Sequence, residues 1–207
     1  CHNAEARSYF GQGLFAGGAA KGTAATIHID TVESLVERVR FKPMEIPAIH
    51  LLKLDLIIEA RKIEDPFTRK TFRCITRFSE LGEKLVREEE VTTQDIWRYY
   101  EDKRDFLPIP NVKSRLCRTL RERRGMTKEE FIDALREKCL ILHYLYNLGV
   151  DTGTEFMKYM AKYYAPAPSE NEISPERAEL IRLADENVSK ETKERIEKIL
   201  KTIETQL

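Results

Sequence analysis

Residues 54–78 read LDLIIEARKIEDPFTRKTFRCITRF, and the fold turns on them. Within this stretch, residues 54–60 (LDLIIEA) and 71–78 (TFRCITRF) are short runs rich in apolar and β-branched side chains, a composition that suits strands. Asp65 and Pro66 stand between them with the chemistry of a turn. The pattern predicts two strands that neighbour each other in one sheet. Residues 84–90 offer another strand on a densely charged background.

Upstream, residues 22–29 (GTAATIHI) are short and β-branched, which predicts a buried strand with His28 near its end. Asp30 or Thr31 can then cap a helix running to Phe41, with Val32, Leu35, Val36 and Val39 on its inner face. Pro43 and Pro47 flank Met44, Glu45 and Ile46 and break the chain before a short helix over residues 48–52. Farther back, Ala6, Tyr9, Phe10, Leu14 and Phe15 recur at roughly helical spacing until Gly17 and Gly18 stop them.

From Gln94 onward nearly everything reads as helical. Val112, Leu116 and Leu120 mark one helix ending before Gly125. Thr127 with Glu130 is a capping-box signature for a long helix that ends at Gly149, with Phe131, Leu135, Leu142 and Leu145 able to face a core. Phe156, Met157, Met160, Tyr163 and Tyr164 mark the next, closed by Pro166 and Pro168. Beyond a polar stretch, Ser174-Pro175 opens the tail, where Ile196, Ile199, Leu200, Ile203 and Leu207 predict an amphipathic helix that needs a partner surface.

The chain has 207 residues and 42% hydrophobic content, enough for a real core in one ordinary domain with a smaller appendage. Its 35 basic and 35 acidic side chains cancel, so no global field draws it to nucleic acid, anionic membrane or acidic substrates. Cys1, Cys74, Cys117 and Cys139 are scattered without a CxxC pair, a usage that fits a reducing compartment. The longest apolar run, residues 139–148, contains His143 and Asn147 and falls short of the roughly 20 residues that span a bilayer. Cys1 at the first position, with no Met and no leader before it, suggests an artificial or processed start. No GxxxxGK[ST] phosphate loop occurs in the sequence.

Three motifs stand in register over residues 1–62. Cys1, His2, Asn3, Ala4, Glu5 and Ala6 open a helix; Gly22, Thr23, Thr26, Ile27, His28, Asp30 and Arg38 follow; and Phe41-Lys42-Pro43-Met44-Glu45-Ile46-Pro47 leads to Leu54-Asp55-Leu56-Ile57-Ile58. The segment resembles the C-terminal half of the RecA-type motor domain in the type II/IV secretion ATPase family, most like its archaeal members. There, a strand ending in Gly-Glu precedes the helix, a strand ends in Thr-x-His, and a Pro-Met-x-x-Pro connection leads to a buried strand. Residues 126–164 also resemble the helical C-terminal region of archaeal members. The chain departs from the family at His2, where Arg is usual, and at Asn3, where Gly is usual.

The resemblance implies an α/β fold. Residues 1–90 become the C-terminal part of a RecA-like ATPase domain, residues 91–165 a helical C-terminal region, and residues 166–207 a polar linker with an amphipathic tail helix. It implies a hexameric ATPase that couples ATP hydrolysis to protein secretion or to pilus or archaellum assembly. Such a motor works in the cytoplasm at the inner face of the cell membrane, against a membrane platform protein, with ATP and Mg²⁺ in the full-length protein. The phosphate loop and the water-activating Glu would precede Cys1, so the fragment is expected to hold neither ligand and to turn over nothing alone. By the same resemblance His28 senses the γ-phosphate, while Thr26 and Asp30 support the nucleotide pocket.

Each residue also has a plainer reading. A lone His on a strand is commonly a satisfied structural residue, Asp30 serves as a helix cap, and Arg38 is a solvated helix charge. Cys1, His2 and His28 lack the spacing of a zinc site, so no metal ligands are assigned. Residues 113–124 (KSRLCRTLRERR) suit headgroups, nucleic acid or an acidic partner, or a solvated face whose Arg stems cover apolar surface; no nucleic-acid partner is expected. Tyr99, Tyr100, Tyr144, Tyr159, Tyr163 and Tyr164 read as packing or interface residues rather than base-stacking platforms. The alternative for the whole chain is a non-catalytic helical interaction module derived from the motor fold.

Overall fold

The computed structural model describes residues 24, 26–41, 46, 54–65, 68–81, 93–169 and 172–207. The helix expected over residues 4–16, the short helix over 48–52 and the strand over 84–90 lie outside them. The chain is α/β and divides into two compact units, Cys1–Thr119 and Leu120–Leu207.

In the first unit, helix α1 (Val32–Arg40) starts at Thr31, whose Oγ1 accepts from the Ser34 N–H at 3.1 Å. Val32, Leu35 and Val39 are buried as the periodicity predicts. Strands β1 (Ile57–Glu64), β2 (Thr71–Leu81), β3 (Thr93–Tyr100) and β4 (Asp105–Pro108) form an antiparallel sheet in sequence order. The expected pairing of the first two is present, with Ile58 opposite Phe78 and Glu64 opposite Thr71. Their turn is tied by Asp65: its N–H donates to the Lys70 carbonyl at 2.8 Å, and its Oδ1 accepts from the Thr68 N–H at 3.0 Å.

Two expectations fail here. The strand expected over residues 22–29 is not formed in the described part, because residues 26–29 join no sheet ladder. The helical reading from Gln94 onward also fails at β3 and β4, which extend the sheet past residue 90. Ile96, Tyr99 and Tyr100 sit at helical spacing, but Thr93, Ile96, Trp97, Tyr99 and Tyr100 are β-branched or aromatic, and cross-strand packing decides between the two. The Trp97 and Phe106 rings stack with centroids 5.5 Å apart, and Phe78 meets Phe106 edge-on at 4.9 Å, so three strands share one aromatic contact.

Two bulges shape the sheet. Between Glu59 and Ala60 the register skips Thr76, and between Phe78 and Ser79 it skips Ile96. Beyond β4, helix α2 (Arg115–Arg123) begins at Ser114. Ser114 Oγ accepts from the Cys117 N–H at 3.0 Å, and Arg121 and Arg123 lie in the last turn, where the helix dipole favours cations.

The second unit is helical: α3 (Lys128–Asn147), α4 (Gly153–Tyr163), α5 (Pro175–Asn187) and α6 (Lys190–Gln206). The Thr127–Glu130 capping box forms in both directions. At the other end of α3, Gly149 takes a φ of 74°, a conformation costly for a residue with a Cβ, and the Val150 N–H reaches back to the Leu145 carbonyl at 3.1 Å. Ile141, Leu145, Tyr163, Leu180 and Ala184 form the buried cluster.

The tail finds its partner surface within this unit. Instead of a single helix it forms two, each with a Ser N-cap, at Ser174 and Ser189. Both pack on α3, and α6 buries Ile196, Leu200 and Ile203. Arg136 of α3 grips Glu197 of α6 at 2.5 and 3.2 Å, and Arg177 of α5 grips Glu137 of α3 at 2.7 and 2.9 Å.

Candidate functional site

The residues leading into α1 carry the candidate site. Ile27 and Ile29 are half-buried, while Thr26, His28 and Asp30 are exposed, so exposure alternates with the period of an extended chain. The three sequence-predicted residues therefore share one solvent-facing side. The apolar pair between them accounts for the β-like composition without any sheet partner. Thr31, rather than Asp30, caps the helix, which leaves the Asp30 carboxylate outside that role.

The backbone of this segment is held from two directions. Arg38 Nη1 donates to the His28 carbonyl at 3.1 Å, and Arg61 Nη2 donates to the Asp30 carbonyl at 3.0 Å. Arg61 Nη2 also lies 2.8 Å from Glu59 Oε1. Arg38, which the sequence left open between a solvated charge and a nucleotide-linked role, thus contacts the candidate residue's own backbone. The sequence gives no local signal for Arg61, because 31 positions separate it from Asp30.

Behind this segment the sheet carries a charged relay. Glu59 Oε2 accepts from Thr76 Oγ1 at 2.7 Å and lies 3.9 Å from Arg77 Nε. Arg77 Nε is 3.6 Å from Asp95 Oδ2, and Asp95 also takes the Ser79 hydroxyl at 2.7 Å and Arg98 Nη2 at 2.6 Å. The hydrogen bond to Asp95 holds the Arg98 guanidinium above its ordinary range.

The half-buried Arg115 donates to the Leu54 carbonyl at 2.8 Å, and Gln94 Nε2 reaches the Lys113 carbonyl at 2.6 Å. Burial pushes the Cys117 thiol above its usual value, the opposite of what activates a nucleophile. Among the tyrosines, Tyr163 is buried against Arg177, whose guanidinium carbon stands 4.8 Å from the ring centre. Among the described residues no group of three or more His, Cys, Asp or Glu gathers to hold a metal ion. None of the described helices is long and apolar enough to cross a membrane.

Neither a scan against models of protein families nor a search of curated proteins finds a match to this chain.

Proposed function

We propose that the chain is the C-terminal part of a hexameric motor ATPase of the type II/IV secretion family, with a RecA-like motor domain in its full-length form. It would couple ATP hydrolysis to protein secretion or to pilus or archaellum assembly, on the cytoplasmic side of a membrane platform protein. The observation that carries the reading is the His28 segment. The Thr-x-His motif stands in register with Pro-Met-x-x-Pro, and its imidazole is exposed on a stretch whose backbone two arginines hold.

An exposed imidazole N–H on a fixed backbone can donate to a γ-phosphate oxygen and report its loss. The sequence holds no phosphate loop, so the motor reading assigns that loop, and the Mg²⁺ it works with, to polypeptide outside these 207 residues. Bound Mg²⁺ and that loop neutralise phosphate charge. His28 contributes orientation and sensing, while Thr26 and Asp30 line the same exposed side.

The test is His28→Ala in the protein joined to its phosphate-loop half. Turnover should fall by roughly a hundredfold while ATP affinity changes little. Unchanged turnover removes the sensor role. The 207-residue chain alone should bind ATP poorly, and tight Mg²⁺-dependent binding by calorimetry contradicts the assignment of the loop elsewhere.

A second reading, a non-catalytic interaction module, draws on the exposed Leu142, Tyr146 and Leu148 near the end of α3. It predicts that the joined protein shows no ATP turnover at all.

A further inference from the structure

Two arginines from different elements meet the backbone on either side of Ile29: Arg38 from α1 at the His28 carbonyl, and Arg61 from β1 at the Asp30 carbonyl. Both contacts are exposed, so each contributes modestly, a small amount for the stability of the fold but enough for two together to favour one position of a short segment. What they add is position. Residues 26–29 have no strand ladder to set their place, and among them only Ile27 and Ile29 are half-buried.

Arg61 is itself placed. Its Nη2 contacts Glu59 Oε1, and the other oxygen of Glu59 is fixed by Thr76, the residue the sheet register skips. From Glu59 the relay passes through Arg77 to Asp95, crossing β1, β2 and β3 in order.

We propose that Arg38 and Arg61 are positioning residues that set where the His28 imidazole stands, with Glu59 holding Arg61 in place. The role of that imidazole rests on the motor reading above; the clamp itself does not. Arg38→Ala frees the carbonyl of His28 and Arg61→Ala frees that of Asp30, whereas Glu59→Ala releases Thr76 and Arg77 together with Arg61 and is the less selective change. A lysine at position 61 keeps the charge but not the planar fork, so it restores part of the restraint.

Two measurements test this. On the 207-residue chain, ¹⁵N relaxation reads the backbone of residues 28–30 directly. Order parameters near 0.85 or so in the parent should fall below about 0.6 in Arg38→Ala and Arg61→Ala, less in Arg61→Lys, with the sheet resonances kept. Should an alanine variant lose the sheet, Arg38→Lys and Arg61→Lys carry the measurement. Unchanged order parameters with the sheet intact overturn the clamp.

On the protein joined to its phosphate-loop half, Arg38→Ala and Arg61→Ala should lower kcat by roughly 10- to 100-fold with KM for ATP within about twofold. A loosened segment together with turnover that ignores His28→Ala overturns the motor reading and leaves the clamp standing. A segment that stays rigid overturns the clamp whatever the motor does.

Discussion

The Ser114 hydroxyl donates to Glu80 Oε1 at 2.5 Å, and the N–H groups of Arg115 and Leu116 reach the same carboxylate at 2.7 and 3.0 Å. A buried carboxylate at the end of β2 therefore caps the first turn of α2 from outside the helix. This joins the sheet to the helix by charge at a place where the helix dipole favours an anion. Glu80 and Ser114 are each only 2% exposed, so the Ser114 hydroxyl has little access to water if the carboxylate is removed, and the two part-buried amides lose the same acceptor.

Glu80→Ala should therefore cost about 2–4 kcal/mol, read as a lowered urea midpoint at unchanged slope, because a buried hydroxyl and two amides lose their acceptor together. Ser114→Ala should cost less, since the two amide bonds remain. If Glu80→Ala shifts the midpoint no more than a surface substitution does, the carboxylate is not what holds α2 to the sheet.

The sequence shows parts of this arrangement and hides others. Residues 54–78 are readable because the two strands are consecutive and Asp65 makes the turn locally. Thr127 with Glu130 is readable because a capping box lies within four residues. Glu80 and Ser114 stand 34 positions apart, so no window of sequence connects them. β3 was hidden by Ile96, Tyr99 and Tyr100, whose spacing suits either a helix face or a strand until Phe78 and Phe106 are in place beside Trp97. At the candidate site, the alternation of residues 26–30 is written in the sequence, but the missing ladder and the two arginines are products of tertiary structure.

The helical unit should respond to pH at both ends. Burial first, and then the Arg195 charge, push His143 below its usual 6.5. The unfolded chain thus binds this proton more readily than the folded one, so the contribution to stability is intact above about 6.5 and declines as pH falls below it. Burial first, and then Glu137, push the Tyr163 hydroxyl from 10.0 up to about 12. There the contribution is intact below the usual value and declines as pH rises through this window. Urea midpoints measured across both ranges should show the two declines. His143→Gln should flatten the acid one and Tyr163→Phe the alkaline one; slopes identical to the parent's would assign the titrations to other groups.

Leu200 tests whether the tail belongs to the helical unit or waits for an outside partner. It is 1% exposed on α6, beside the half-buried Ile199 and one turn from Ile196 and Ile203, and α6 packs on α3. Leu200→Ala removes three carbons from a filled space and should cost about 2–5 kcal/mol in the chain alone. Lys201→Ala, on the exposed side of the same helix, should change stability by no more than about 0.5 kcal/mol. Neither effect should depend on protein concentration, because the surface that covers Leu200 is supplied by the same chain. A Leu200→Ala cost that appears only at high concentration would instead mean that a second molecule completes the core around α6.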